Sequence, residues 1–264
     1  MTEAREDKRI TLAITLAYNG AGFSGFARQQ EGVHTVQGEL EAALATVAGE
    51  PIETVCAGRT DAGVHALGQV VSCTVPHTFA TDTAVRSLNA LTPDDIAIRD
   101  IRVVPDGFSA RFDAVSREYR YLIANTPEPP LFTASFAWHI TQPLDLEAMR
   151  EAATLLIGEH DFASFCVAAS ADALHEQGLS TSREVILLGI EPVCELGESL
   201  IAVTVVGNAF LHSMVRTIVG TLVEVGRGKH PSNWVGEVLA ARDRAAAGPC
   251  APAQGLVFVA VNYP

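Results

Sequence analysis

The sequence predicts an α+β fold made of two ferredoxin-like halves, each running β-α-β-β-α-β, and three observations carry that expectation. Short apolar runs of strand length alternate with segments whose apolar residues recur every three or four positions. The same order of elements occurs twice along the 264 residues. No low-complexity linker separates the two occurrences, only the stretch Pro105 to Ser116, so the halves are expected to behave as one body.

In the first half, Arg9 to Ala17 is a β-rich run. Thr35 reads as the N-cap of a helix whose Val36, Leu40, Leu44 and Val47 share one face. Short strands are expected near Glu53 to Cys56 and Gly68 to Thr74. A helix from about Asp82 to Leu91 stops before Thr92-Pro93, because proline disfavours a helical residue ahead of it, and Ile96 to Val104 closes the half.

The second half has longer loops. A strand over Arg117 to Ala124 leads through Pro127, Pro129 and Pro130 to a helix from Asp145 to Ile157, then to strands near Glu184 to Cys194 and Leu200 to Val206. A helix from about Phe210 to Val225 places Leu211, Val215, Ile218, Leu222 and Val225 on one stripe. A further helix near Ser232 to Arg242 precedes the final strand, Leu256 to Val261. The expected division is a flexible N-terminus (1–9), an N-terminal half (10–105) and a C-terminal half (106–264). Packed edge to edge, the halves would form one large mixed or antiparallel sheet, with helices on one face and an open cleft on the other.

Composition narrows the function classes. At 48% apolar residues the chain can bury a sizeable core. No apolar run approaches the roughly 18 to 20 residues of a bilayer span, and the charged N-terminus has no signal-peptide core behind it, so a cytoplasmic protein without membrane contact is expected. The five cysteines are widely spaced, with no C-x-x-C pair and no histidine at ligand spacing. They read as reduced thiols, and no metal is expected. The net charge of −13 by itself argues against nucleic acid. Its distribution argues less strongly: between residues 141 and 200, eleven acidic side chains face only Arg150 and Arg183, whereas residues 201–264 carry a slight positive excess. An arginine-lined surface elsewhere therefore remains compatible with the composition.

The loop Gly58-Arg59-Thr60-Asp61-Ala62-Gly63 lies between two apolar strands, and glycines at both ends let the backbone turn tightly. One reading of Asp61 is structural, an Asx turn with Arg59 as its ion-pair partner. The other is chemical: a neighbouring positive charge keeps a carboxylate ionised, suited to attacking or stabilising an electron-poor sugar carbon.

The ten residues Ala57-Gly58-Arg59-Thr60-Asp61-Ala62-Gly63-Val64-His65-Ala66 closely resemble the catalytic loop of the tRNA pseudouridine synthase A family. Tyr18-Asn19-Gly20 with Phe23 and Gly25-Phe26-Ala27-Arg28-Gln29 resembles the family's opening motif, and Thr35-Val36-Gln37-Gly38 the start of its first helix. Ser109 to Ala114, Arg117-Glu118-Tyr119-Arg120-Tyr121, Gly158 to Phe162, Asn208 to His212, Met214-Val215-Arg216 and Ala253 to Leu256 follow in the family's order. The resemblance spans residues 10 to 264 nearly continuously.

What the resemblance implies is a pseudouridine synthase fold and a cofactor-free isomerase. It would convert uridine to pseudouridine in the anticodon stem-loop of tRNA, at positions 38, 39 and 40, as a homodimer. Asp61 would be the catalytic carboxylate, acting through a covalent adduct or by stabilising the sugar. Tyr119 would stack on the flipped base and help move a proton, although Tyr121 faces the same side of its strand and the sequence does not separate the two. Arg59 would pair with Asp61 and flank the nucleotide, Arg216 would lie near the aspartate, and Leu256 would line the uracil pocket. Arg28, Arg111, His65 and Asn208 complete the implied substrate-binding set, with Arg86, Arg117 and Arg120 as further candidates for phosphate contacts. Flipping a stacked uridine costs a few kcal/mol that such contacts must offset.

Two departures stand out. Asn19 replaces the aspartate usual in the family's opening motif, and Cys166 to Arg183 differs from the family's shorter, more basic insertion. Two rival readings share parts of the pattern. A nucleoside or glycosyl hydrolase would need a second carboxylate about 5 to 9 Å from Asp61. A catalytically silent RNA-binding module would use Asp61 only to shape its turn.

Overall fold

The computed structural model describes residues 8–264. Residues 1–7, most of the expected flexible N-terminus, lie outside it, and Arg9 already begins the first strand. The chain forms two compact units: the first ends at Val115 and regains Phe258–Pro264, and the second is Ser116–Val257. Sequence expectation ended the first half at residue 105 and left the last strand with the second. The difference arises because residues 106–115 and the end of the chain are tied to the first unit by hydrogen bonds, including Ala110 N–H to Ser72 Oγ and Val115 N–H to the Asn262 carbonyl.

The first unit contains β1 (Arg9–Tyr18), α1 (Val36–Ala48), β2 (Thr54–Cys56), β3 (His65–Pro76), α2 (Thr81–Leu91) and β4 (Ile96–Val104). Its strands run β4-β1-β3, with the short β2 also pairing to β3, all antiparallel. This is the ferredoxin-like order. β1 buries Leu12, Ile14 and Leu16, and α1 buries Val36, Leu40 and Leu44, so both periodicities meet in one core. The Thr35 hydroxyl accepts from Gly38 N–H, which caps α1 as expected. Near its end β1 shifts register against β3 between Leu16 and Tyr18, and Leu16, Ala17 and Tyr18 are all buried. Such an irregularity re-aims a side chain, here Tyr18.

The second unit contains β5 (Ser116–Ala124), β6 (Trp138–His139), α3 (Leu146–Thr154), β7 (Gly158–Asp161), α4 (Ala168–Glu176), β8 (Ser182–Glu195), β9 (Glu198–Gly207), α5 (Met214–Gly226) and α6 (Trp234–Ala241); β10 (Leu256–Asn262) starts in it and continues into the first unit. β5-β9-β8-β7 pair antiparallel in that order, and β6 adds a short parallel pair to β5. α5 is buried on nearly every side, from Met214 to Val225. It starts four residues later than the apolar stripe suggests. Ser213 adopts φ 58°, a left-handed conformation that a helix cannot run through. α4, β6 and β7 were not expected. The Gly-Glu-His-Asp strand has no apolar alternation, and α4 buries only Ala171. No described helix is long and apolar enough to cross a membrane.

Candidate active site

The first unit holds the expected catalytic loop. It leaves β2 at Cys56 and rejoins the same hairpin at His65, and each of its bends is fastened from outside. Ala57 N–H donates to the Val70 carbonyl at 2.8 Å, and the fully buried Gln69 side chain donates to the Gly58 carbonyl at 2.7 Å. Thr60, also buried, shares a 2.8 Å hydrogen bond with the Tyr18 hydroxyl, while its carbonyl accepts from Phe26 N–H at 3.0 Å. Asp61 follows at the start of a turn closed by Val64 N–H on its carbonyl, with Gly63 at φ 79°. The Asp61 side chain is half-buried.

Two glycines of the segment after β1 let that segment press against the loop. A Cβ on Gly20 would sit 2.0 Å from the Val64 carbonyl oxygen, and one on Gly25, at φ 102°, 3.0 Å from that of Thr60. Gly20 N–H also donates to His65 Nδ1 at 3.1 Å, which leaves the proton of a neutral His65 on Nε2. His65 is buried. Asn19 caps the turn at Gly20–Gly22 by accepting from Ala21 N–H. An aspartate would make the same bond, so Asn19 keeps the cap without a charge.

Arg59 is exposed. The Arg59 charge reaches Cys56. Burial pushes that thiol's pKa up, and the positive charges of Arg59 and Arg111 pull it partly back. Arg111 lies over the Phe112 ring, 5.4 Å from its centroid. Arg28 is held at 2.8 Å by Glu41, a buried carboxylate that also accepts from the Thr54 amide and hydroxyl.

The second unit holds the other expected residues. Tyr119, 6% exposed, meets Phe210 edge to face at 5.0 Å. Tyr121 is wholly buried and donates from its hydroxyl to the Pro252 carbonyl at 2.8 Å. Burial drives the Tyr121 pKa strongly upward, and the neighbouring Arg216 opposes this. Gly255 packs on the Tyr121 ring so closely that a Cβ would lie 2.4 Å from it, which places buried Leu256 one residue away. Arg216, half-buried on α5, donates from Nε to the Ala251 carbonyl at 2.8 Å, and Ala251 N–H donates back to the Arg216 carbonyl.

Asn208 joins strands: its side chain and amide bond both ways to Glu184, and its carbonyl accepts from Arg117 at 2.5 Å. Arg117 is buried in that contact, so it is a framework residue rather than the surface phosphate ligand considered for it. The altered segment after Cys166 packs on its own unit. Val167 N–H donates to the His212 carbonyl, Ser170 bonds His212 Nδ1, and the Thr181 hydroxyl donates to Asp161 at 2.6 Å.

Sequence reasoning passed over Tyr18, Gly20, Gly25 and Gln69 as functional residues. Three of them stand in the opening motif, so a signal was present, but motif order does not show what a residue touches. Gln69 carried no signal. Among the described residues no cluster of histidine, cysteine, aspartate and glutamate is arranged to hold a metal.

A family model described as tRNA pseudouridine synthase matches residues 14–113 and 152–264. The tRNA pseudouridine synthase A of Brevibacillus brevis is 47% identical over 252 residues, which cover 96% of this chain and 99% of the relative. That of Cronobacter sakazakii is 44% identical over 271 residues, covering 100% of this chain and 94% of the relative. The family model spans both units and includes the loop that carries Asp61; the chain belongs to the tRNA pseudouridine synthase family.

Proposed function

We propose that this protein isomerises uridine to pseudouridine in tRNA, at positions 38, 39 and 40 of the anticodon stem-loop, in the cytoplasm and as a homodimer. The observation that carries the reading is the loop around Asp61. Its neighbours Gly58, Thr60, Val64 and His65 are each fixed by a side chain or a close backbone approach, and the half-buried carboxylate sits at the turn between them. A carboxylate held this way meets a sugar carbon without first losing freedom, which favours attack or electrostatic stabilisation over simple binding. The family's name adds the substrate class.

In the reaction the C1′–N1 bond breaks, the uracil turns, C1′ bonds to C5, and the C5 proton departs while N1 gains one. Asp61 is the catalytic carboxylate. Tyr119 stacks on the base and Leu256 bounds it, and Arg216 and Arg59 supply positive charge. Arg28 and Arg111 contact the RNA backbone. His65 and Asn208, fixed in internal hydrogen bonds, serve the binding surface by holding its framework.

The test is tritium release from tRNA labelled at C5 of uridine. The wild-type protein is expected to release it, and Asp61→Asn is expected to lose activity at least 1,000-fold, roughly the scale of removing a catalytic group, with an unchanged circular dichroism spectrum. Full activity in that variant would remove Asp61 from the mechanism. Release of free uracil instead would point to the hydrolase.

A further inference from the structure

Phe112 is 78% exposed, yet the segment that carries it is built rigidly. Asp113 N–H donates to the Ser109 carbonyl, the Asp113 carboxylate accepts from Ser109 N–H, and Phe112 N–H meets the Ser109 hydroxyl. Residue 110 is gripped on both sides. Its N–H donates to Ser72 Oγ at 3.0 Å, and its carbonyl accepts from the Tyr263 hydroxyl at 2.8 Å, with the Tyr263 ring against Phe108 at 5.1 Å. A fixed segment that holds a phenyl ring in water gains nothing for the core. The Arg111 guanidinium covers one face of the ring at 5.4 Å, and the Cys56 thiol, at the entry to the Asp61 loop, senses both Arg111 and Arg59.

We propose that Phe112, backed by Arg111, is a stacking platform for an unpaired tRNA base beside the uridine that reacts. The proposal rests on the reading of the protein as a tRNA-modifying enzyme and adds a residue to it. The occupant is a base rather than a phosphate. The exposed Asp113 carboxylate next to the ring repels phosphate, whereas every nucleobase offers a neutral π-face to an aromatic ring backed by a cation. Arg111 and Arg59 serve the backbone on either side of that base.

The experiment compares tRNA binding by the full chain as wild type, Phe112→Ala, Phe112→Leu, Phe112→Tyr and Arg111→Ala, across a salt series. Loss of one base stack is expected to weaken binding by Phe112→Ala about ten-fold. Phe112→Leu should weaken it nearly as much, because leucine is apolar but not planar, and Phe112→Tyr should keep wild-type binding. The salt dependence should be unchanged in all three Phe112 variants and shallower by about one unit of slope in Arg111→Ala. Wild-type binding by Phe112→Ala or Phe112→Leu would overturn the proposal. So would sedimentation in which Phe112→Ala loses self-association that the wild type has, since the ring would then belong to a protein interface. Because the readout is binding, it is independent of tritium release: an inactive wild type would sink the proposed reaction and leave this comparison intact.

Discussion

At the scale of single residues, the loop around Asp61 is governed by groups that never reach the substrate. Tyr18 is buried, and its hydroxyl shares a hydrogen bond with the buried Thr60 hydroxyl. Tyr18→Phe leaves that hydroxyl without its partner, a cost of about 1–3 kcal/mol in a dry setting. Part of it will be met by movement of Thr60, the residue directly before Asp61. The expected outcome is a lower melting temperature and a fall in kcat of about ten-fold, with KM for tRNA unchanged because Tyr18 lies below the surface. Steady-state tritium release with a thermal melt checks it. Glu198 is a second residue whose environment sets its chemistry. Its carboxylate accepts from the Thr133 hydroxyl and from the Leu131, Phe132 and Thr133 amides. Led by the Thr133 hydroxyl bond, these hold its pKa at about 2, against an ordinary 4.5. A depressed folded-state pKa contributes stability above the unfolded value and loses it as pH falls. Wild type should therefore exceed Glu198→Gln in stability at pH 7, and the gap should shrink as pH drops from about 4.5 to 2, measured by urea unfolding at each pH.

At the scale of elements, α5 and the loop after Ala247 depend on each other through glycine. A Cβ on Gly220 would lie 1.7 Å from the Pro249 carbonyl oxygen, and one on Gly248 would lie 2.7 Å from the Thr221 Cα. That loop carries Ala251, whose carbonyl fixes Arg216. Overpacking against backbone has no side chain to yield, so Gly220→Ala should destabilise the protein by at least ~2 kcal/mol and lift the loop from the helix. Chemical unfolding gives the first quantity. Faster hydrogen exchange at the Ala251 amide, which is bonded to the Arg216 carbonyl, would report the second. Equal exchange in the variant would show that the contact does not hold the loop.

At the scale of the whole molecule, charge governs RNA affinity. The chain carries a net −13, with the acidity concentrated between residues 141 and 200, so RNA affinity must come from a minority of arginines and should weaken steeply with salt. The proposed homodimer has a simple measure: sedimentation equilibrium at assay concentration should give twice the chain mass of 28.0 kDa. A fully active species at the single-chain mass would remove the second subunit from the mechanism.

Much of the fold was legible because it rests on local rules. The 3.6-residue stripe of α1, its threonine cap, the alternation of β1 and the stop before Pro93 are each written within a few residues, and the structure follows them. Elements without a buried face, such as β7 and α4, left no pattern to read. For the candidate site, the sequence by itself determined the decapeptide with Asp61 at its centre and the family to which that order of motifs belongs. Only the tertiary structure decided what holds it. Tyr18 and Thr60 are 42 residues apart and Gly58 and Gln69 eleven. Those outcomes turn on burial and on which hydrogen bonds survive it, quantities that exist only once distant segments of chain exclude water together.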